Sequence, residues 1–162
     1  MNKGTWQRQK NAFSVIEMLI VIAIFAILVY IFAGPSIRWY HEYKLFSEGQ
    51  RLHYMVIEAK TYSVSHTVYT SVCLSGNSIV IYNLGIQPTS LCTGKAVEAY
   101  TLPSYNASSL SYQQTQVISY NPRGVSHQEG SICVYDSTVN QYYMACATYA
   151  GIRDISGTGT CP

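Results

Sequence analysis

The most extended apolar pattern in the chain lies near its start. Between Ser14 and Gly34 the only charged side chain is Glu17. A helix rises about 1.5 Å per residue, so this run spans roughly 31 Å, close to the ~30 Å hydrocarbon core of a bilayer. The pattern therefore predicts a membrane-spanning helix over residues 13–35.

Beyond Pro35 the pattern becomes amphipathic. Apolar side chains recur at spacings of three, four and seven positions, which is the period of one helix face. They are Leu45, Leu52, Met55, Val56, Ala59 and Tyr62. Charged residues take the other positions, namely Arg38, Lys44, Glu48, Arg51, Glu58 and Lys60. We expect a helix over residues 36–65 whose apolar face lies on a sheet.

Residues 66–162 have the pattern of short β-strands. Six runs are rich in β-branched and aromatic residues and are separated by Gly, Pro, Asn and Ser. They cover residues 68–75, 78–83, 96–103, 115–120, 131–136 and 142–149. Residues 104–115 are polar without periodicity and are predicted to form a mobile loop. The sequence has no internal repeat and supports one modest core, so we predict an α+β protein with a single domain after the apolar helix.

Composition and charge set the orientation of the apolar helix. Apolar residues make up 48% of the chain and charged residues only 11%, which is usual for a protein with a membrane helix. Lys3, Arg8 and Lys10 precede the helix with no acidic residue among them. By the positive-inside rule, we expect the N-terminus to stay cytoplasmic and the residues after 35 to be exported.

Glu17 distinguishes this segment from a simple signal anchor. An ionised side chain costs about 2.5–3.5 kcal/mol near the bilayer centre and less near the interface, so such a residue usually has a function and a partner. Nothing in its own apolar run can pair with it. The stretch AFSVIEMLIVIAIFAIL resembles the class III signal of type IV pilins and pseudopilins.

The resemblance implies a route of processing and assembly. In that family a prepilin peptidase cleaves before an aromatic residue, the new N-terminus is methylated, and a glutamate five residues in pairs with the N-terminal amine of a neighbouring subunit. For this chain it implies cleavage between Ala12 and Phe13, with residues 1–12 as the leader and Glu17 as the assembly residue. It also implies the pilin fold, in which a long N-terminal helix packs on an antiparallel β-sheet domain, with residues 36–162 in the periplasm.

Within the pilins, the order of elements is similar to that of the FimT/GspH group. Residues 58–82 resemble its helix end, cysteine-bearing strand and hairpin, and residues 120–126 resemble its Phe/Tyr-x-x-x-Gly segment. The group often has Gly-Arg-x-Arg near the C-terminus, whereas this chain keeps Gly151 and Arg153 with Ile152 after the glycine. The resemblance implies a minor pilin held in the bacterial inner membrane until it joins other subunits in a type IV pilus or a type II secretion pseudopilus.

Five cysteines follow the apolar run: Cys73, Cys92, Cys133, Cys146 and Cys161. In an oxidising compartment they indicate two disulfides and one remaining thiol, and spacing alone does not fix the pairing. We expect Cys73 to pair with Cys92 across a hairpin region. We expect Cys161 to tie the C-terminal tail to Cys133 or Cys146, because an unanchored tail would fray.

Metal, cofactor and catalytic sites have no support in the sequence. The histidines at 41, 53, 66 and 127 are scattered, and there is no Cys-x-x-Cys pair, so we expect no metal and regard each histidine as solvated or hydrogen-bonded without a role in a site. Neither Gly-x-Ser-x-Gly nor His-Glu-x-x-His occurs, and the acidic residues are too sparse to propose a paired-carboxylate site. We predict a structural protein, with a membrane-anchored periplasmic enzyme as the least favoured interpretation.

DNA binding is the alternative function, because some FimT-type pilins are implicated in DNA uptake during transformation. Removal of residues 1–12 leaves seven basic and eight acidic residues. Phosphate affinity comes mainly from clustered Lys and Arg. Lys95, Arg123 and Arg153 are the candidate contacts if they converge in space. We do not favour this alternative, and we expect the partners to be other pilin or pseudopilin subunits, prepilin peptidase and the inner membrane.

Overall fold

In the described part of the chain, one long helix precedes nine strands. A computed structural model describes residues 14–88, 90–103 and 109–162, with the side chains of residues 33–35 outside the description. The chain divides into two compact units, Met1–Ile37 and Arg38–Pro162. The helix, α1 (Val15–His66), includes residues of both units. It therefore continues past Pro35 and ends beside the predicted limit at residue 65.

The strands of the second unit form two antiparallel sheets. They are β1 (Tyr69–Ser75), β2 (Ser78–Gly85), β3 (Lys95–Thr101), β4 (Leu110–Gln116), β5 (Ile118–Tyr120), β6 (Ser126–Gln128), β7 (Gly130–Asp136), β8 (Gln141–Thr148) and β9 (Gly151–Thr158). The five-stranded sheet has the order β3-β2-β1-β5-β6, and the four-stranded sheet has the order β4-β7-β8-β9. The expected α+β fold with an antiparallel sheet domain is confirmed, and the domain has two sheets.

The core lies where the second half of α1 meets both sheets. The predicted stripe supplies Leu45, Leu52, Met55, Val56 and Ala59, all of them buried. The five-stranded sheet contributes Val72, Ile79, Ile81 and Ile118, and the four-stranded sheet contributes Ile132, Val134, Ala145 and Ala147. Each fully buried Leu, Ile or Val side chain contributes about 1.5–3 kcal/mol. One helix face thus joins two sheets into one core.

The prediction of a mobile loop over residues 104–115 is wrong for its second half. Leu110–Gln116 is strand β4, paired with β7, while residues 104–108 lie outside the described part of the chain. In β4 the side chain of Gln114 accepts from the backbone N–H of Leu74 at 2.8 Å and donates to the carbonyl of Val72 at 2.8 Å. The Gln114 side chain thus makes the backbone hydrogen bonds that a neighbouring strand would otherwise make to this part of β1, and it links the two sheets.

Three strands have no counterpart among the six predicted runs. β6 has three residues, β9 contains Gly, Arg, Asp and Ser, and most of β4 is polar. All three are edge strands. An edge strand has one neighbour and often one wet face, so it does not need the apolar run by which strands are recognised in a sequence.

Candidate functional site

The apolar half of α1 is the first candidate site. Val15–Phe32 has a mean hydropathy of 3.0 and is the one helical span among the described residues that is long and apolar enough to cross a membrane. Its side chains are exposed along the whole span. An apolar surface of this length is stable only against lipid or against other apolar helices.

Glu17 lies in the first turn of this helix. Its backbone N–H donates to the carbonyl of Ser14 at 3.0 Å, and the N–H of Met18 donates to the same carbonyl at 3.3 Å. A carboxylate near the free N–H groups of a helix start gains about 0.3–1 kcal/mol, which is less than the cost of an unpaired charge in lipid. No described basic side chain forms an ion pair with Glu17. Ala12 and Phe13 lie outside the described residues.

Two histidines of the second unit connect α1 to the four-stranded sheet. His41 Nδ1 lies 2.9 Å from Oδ2 of Asp136, at the end of β7. His53 Nδ1 lies 2.7 Å from Oδ1 of Asp154 in β9. Both contacts join residues that are about a hundred positions apart, so they fix how the helix lies on the sheet. Within the described residues no group of His, Cys, Asp and Glu side chains could hold a metal ion.

Ser109, His41 and Asp136 come together although no sequence pattern indicated it. Ser109 Oγ lies 3.3 Å from His41 Nδ1, the same nitrogen that contacts Asp136. In a serine nucleophile triad, the carboxylate holds the N–H of one imidazole nitrogen, and the other nitrogen takes the proton of the serine hydroxyl. This geometry lacks that arrangement. The three residues form a polar link between helix and sheet.

The carboxyl of Asp136 is fully buried. Burial would raise its pKa, but hydrogen bonds from Ser109, His41 and the backbone N–H of Thr138 outweigh it and hold the pKa of Asp136 below its ordinary value. Asp136 therefore stays ionised inside the protein at neutral pH. It stabilises the fold only while those donors are in place.

A second polar link joins α1 to the five-stranded sheet and to β4. Glu48 accepts hydrogen bonds from the hydroxyls of Tyr100, at 3.0 Å, and Tyr112, at 3.2 Å. Burial, followed by the neighbouring Glu48 carboxylate, raises the pKa of Tyr112 far above its usual range. Glu48 is one of the charged residues that the sequence pattern places off the sheet-facing stripe. The structure instead gives it two partners on strands.

A groove of about 480 Å³ runs along α1 beside β3. Its lining includes Tyr43, Phe46, Arg51, Tyr54, Glu58, Glu98 and Tyr100. A hydrogen bond between the carboxyl groups of Glu58 and Glu98, then burial and their mutual repulsion, raises the pKa of Glu58 to about 7. Two acidic side chains therefore meet on this surface, although no spacing in the sequence supports a paired-carboxylate catalytic site. Residues forty positions apart meet across the helix–sheet boundary, and no local spacing signals such a contact.

The three candidate DNA contacts lie on different elements of the two sheets. Lys95 begins β3 at one edge of the five-stranded sheet, and Arg123 lies in the turn between β5 and β6 at the other edge. At least three strand spacings of about 4.8 Å separate their strands, or roughly 14 Å. Arg153 lies in β9, an edge strand of the other sheet. All three side chains are exposed, and Lys95 and Arg123 are too far apart to contact the same phosphate group.

The described residues contain two disulfides, Cys73–Cys92 and Cys133–Cys161. The first ties β1 to the loop before β3. The second fixes the C-terminal tail to β7, so that of the two partners left open for Cys161 the structure has Cys133. Cys146 is a free, half-buried thiol, and burial raises its pKa.

The Tyr-x-x-x-Gly segment has a structural explanation in this chain. Tyr120 is buried at the end of β5, and Gly124 has a φ of 74°, a left-handed conformation that favours glycine. A Cβ on Gly124 would lie 2.7 Å from Cγ2 of Val64. The segment is therefore a turn that packs closely on the end of α1.

Comparisons with known proteins identify a family motif in the N-terminal segment and a known structure with a similar fold. Residues 7–29 match the family model described as the prokaryotic N-terminal methylation motif. The structure is similar to a crystal structure of the type IV minor pilin FimU of Pseudomonas aeruginosa, with a TM-score of 0.51 and 15% identity over 69% of this chain and 88% of that one. A second crystal form of FimU gives a TM-score of 0.49 and 16% identity over 70% and 92% of the two chains. No curated protein matches the chain by sequence.

The chain therefore carries the N-terminal methylation motif of type IV pilins and has the pilin fold seen in FimU. FimU, whose fold this chain shares, is a type IV minor pilin. The apolar helix fits a membrane-anchored pilin.

Proposed function

We propose that this chain is a minor pilin or pseudopilin, a structural subunit that assembles through its N-terminal helix into a type IV pilus or a type II secretion pseudopilus. Before assembly, the apolar half of α1 holds it in the inner membrane with residues 36–162 in the periplasm. Prepilin peptidase removes residues 1–12 and the new N-terminus at Phe13 is methylated. The partners are other pilin or pseudopilin subunits.

The observation that carries this proposal is the position of Glu17. It is the single charge of an exposed apolar helix, it falls inside the matched methylation motif, and no described basic side chain pairs with it. A buried charge without a partner costs several kcal/mol, whereas a paired and hydrogen-bonded one is tolerated. The amine of Phe13 on an adjacent subunit would supply the opposite charge. Pairing would then occur only when the incoming subunit is in the correct register.

DNA uptake is not proposed as the main function. Lys95 and Arg123 lie at opposite edges of the five-stranded sheet, and Arg153 lies in an edge strand of the other sheet, so the basic residues are not clustered along one element. An electrostatic footprint for DNA normally requires such clustering.

The first test concerns processing. Mass spectrometry of the protein purified from membranes should give a chain that begins at Phe13 with one added methyl group. In a strain without prepilin peptidase, the intact chain from Met1 should accumulate. A mature N-terminus at any other residue contradicts the proposal.

The second test concerns assembly. We expect Glu17→Ala to leave the amount of protein in the membrane unchanged or slightly raised, because a charge has been removed from the span. The amount in sheared filaments should fall at least tenfold, because the partner's amine would be buried without a counter-charge. Glu42→Ala, which removes an exposed carboxylate that pairs with Arg38 on the same helix, is the matched control. Wild-type incorporation of the Glu17→Ala protein would show that the charge is incidental.

A further inference from the structure

The groove between α1 and β3 combines apolar walls with acidic groups. Three aromatic side chains of α1 on its rim are largely exposed, namely Tyr43 at 62%, Phe46 at 56% and Tyr54 at 64%. β3 is an edge strand whose outer side faces no other described strand. The volume of about 480 Å³ falls within the range of sites that hold a ligand or a few residues of a peptide.

The two carboxyl groups in this groove have no cationic partner among the described residues. Glu58 comes from α1 and Glu98 from β3, and neither forms an ion pair with a described basic side chain. Two carboxylates in contact repel each other unless a proton or a cation lies between them. The arrangement is therefore unfavourable in the isolated chain, and a positive charge would relieve it.

Arg51 is the one basic residue among the described residues that line the groove, and its guanidinium contacts an aromatic ring rather than the carboxyl pair. The guanidinium of Arg51 stacks on the ring of Tyr100, with Cζ 4.1 Å from the ring centroid. Tyr100 in turn donates its hydroxyl hydrogen to Glu48. This stacking occupies one face of Tyr100, whereas the rings of Tyr43, Phe46 and Tyr54 remain exposed to an incoming group.

Building on the proposed function, we propose that this groove is the docking site for a lysine side chain carried by an extended segment of a neighbouring subunit. The ammonium group lies between Glu58 and Glu98, where its three N–H donors can serve both carboxylates. Its four-carbon stem packs on the exposed ring of Tyr54, which lies one helical turn before Glu58. Exposed aromatic faces add cation–π attraction to the charge complementarity.

Lysine binding in this groove should depend on pH. The pKa of Glu58 is about 7, so the carboxyl pair of the empty groove holds a shared proton below that pH and loses it above. The groups that face this pair are Glu58, Arg51 and Tyr54 from α1, and Glu98 and Tyr100 from β3. Because lysine must displace the shared proton, affinity should rise by about tenfold between pH 6 and pH 8, while the lysine stays charged throughout.

A binding experiment on the isolated full chain tests this idea. The protein in uncharged maltoside micelles is titrated by calorimetry with the peptide acetyl-Gly-Ala-Lys-Ala-Gly-amide. The matched peptide carries N-acetyl-lysine, which has a similar shape without the charge. We expect acetylation to weaken binding at least tenfold. The double variant Glu58→Gln/Glu98→Gln should weaken it by a similar factor and abolish the pH dependence.

Control measurements separate binding in the groove from binding elsewhere on the protein. Glu42→Gln lies outside this groove and should change the affinity less than twofold. Circular dichroism should show an unchanged fold for the double variant, because the substitutions remove a repulsion at exposed positions. Equal affinity for the two peptides, or wild-type affinity of the double variant, would overturn the proposal. Choline binding as tightly as the lysine peptide would also overturn it, since the occupant would then be a small cation.

Peptide binding is measured independently of filament assembly. Failure to bind the peptide, with normal processing at Phe13 and Glu17-dependent assembly, would reject the groove and leave the proposed function intact. Specific binding in a chain that is not processed at Phe13 would reject the function and leave the groove as a lysine site.

Discussion

Replacing Gly49 with alanine sets two physical effects against each other. Gly49 lies in the interior of α1, where alanine is favoured over glycine by about 1 kcal/mol of helix propensity. Its Cα hydrogen, however, faces Tyr143 of β8. A Cβ at this position would overlap the Tyr143 ring and lie 2.8 Å from its Cβ. Propensity therefore predicts stabilisation, and packing predicts destabilisation.

The structure indicates that packing dominates. Tyr143 is 6% exposed, and its hydroxyl accepts a hydrogen bond from Gln50 Nε2 at 2.9 Å, so the ring has little freedom to move away. Overpacking costs about 1–3 kcal/mol, and loss of the hydrogen bond adds about 0.5–1.5 kcal/mol. After subtraction of the propensity gain, we expect Gly49→Ala to lower the free energy of unfolding by about 0.5–3.5 kcal/mol.

Thermal and urea unfolding of the fragment from residue 36 measure this effect. A loss of 2 kcal/mol corresponds to a fall in Tm of roughly 8 °C for a domain of this size. Ser47→Ala, at an exposed position two residues earlier in the helix, is the matched control and should be neutral or slightly stabilising. In a Tyr143→Ala background the sign should reverse, and Gly49→Ala should stabilise by up to about 1 kcal/mol. Stabilisation by Gly49→Ala in the wild-type background would refute the reasoning.

Particular contacts in the second unit support three more predictions. Asp136→Asn should destabilise the fold at neutral pH. The pKa of Asp136 in the folded protein lies below its unfolded value of 3.8, so its contribution to stability is present above pH 3.8 and is lost as the pH falls through the folded pKa. Urea unfolding at several pH values should therefore show the stabilities of the wild type and the variant converging below about pH 4. Cys161→Ser should lower the free energy of unfolding by about 3.5 kcal/mol on the chain-entropy model, because the Cys133–Cys161 disulfide closes a loop of 28 residues. Non-reducing peptide mapping of the wild type should first confirm this pairing. Gel-shift titration with duplex DNA should show only weak binding that disappears by roughly 150 mM salt, and Arg153→Ala should not change it; Arg153-dependent binding at that salt would favour a DNA receptor.

The agreement between sequence and structure is best where the signal is local. The stripe from Leu45 to Ala59 identified the buried face of α1, because every helical residue lies on a face fixed by its position in the turn. The strands β1, β2, β7 and β8 were recognised because they are central in their sheets and need apolar residues to be buried. The edge strands β4, β6 and β9 were missed because their composition is that of a solvated surface.

The sequence alone determined the apolar helix and the single carboxylate within it, and it predicts export of residues 36–162. These inferences depend on hydrocarbon thickness, on the cost of a charge in lipid and on the charges that flank the span, none of which requires knowledge of the fold. Only the tertiary structure decided which partner Cys161 takes, that Glu58 meets Glu98, and that Lys95 and Arg123 stand at opposite edges of one sheet. Such contacts depend on strand order and register. A one-residue slip in register moves a side chain to the other face of a sheet, and no spacing along the chain encodes the order in which strands pair.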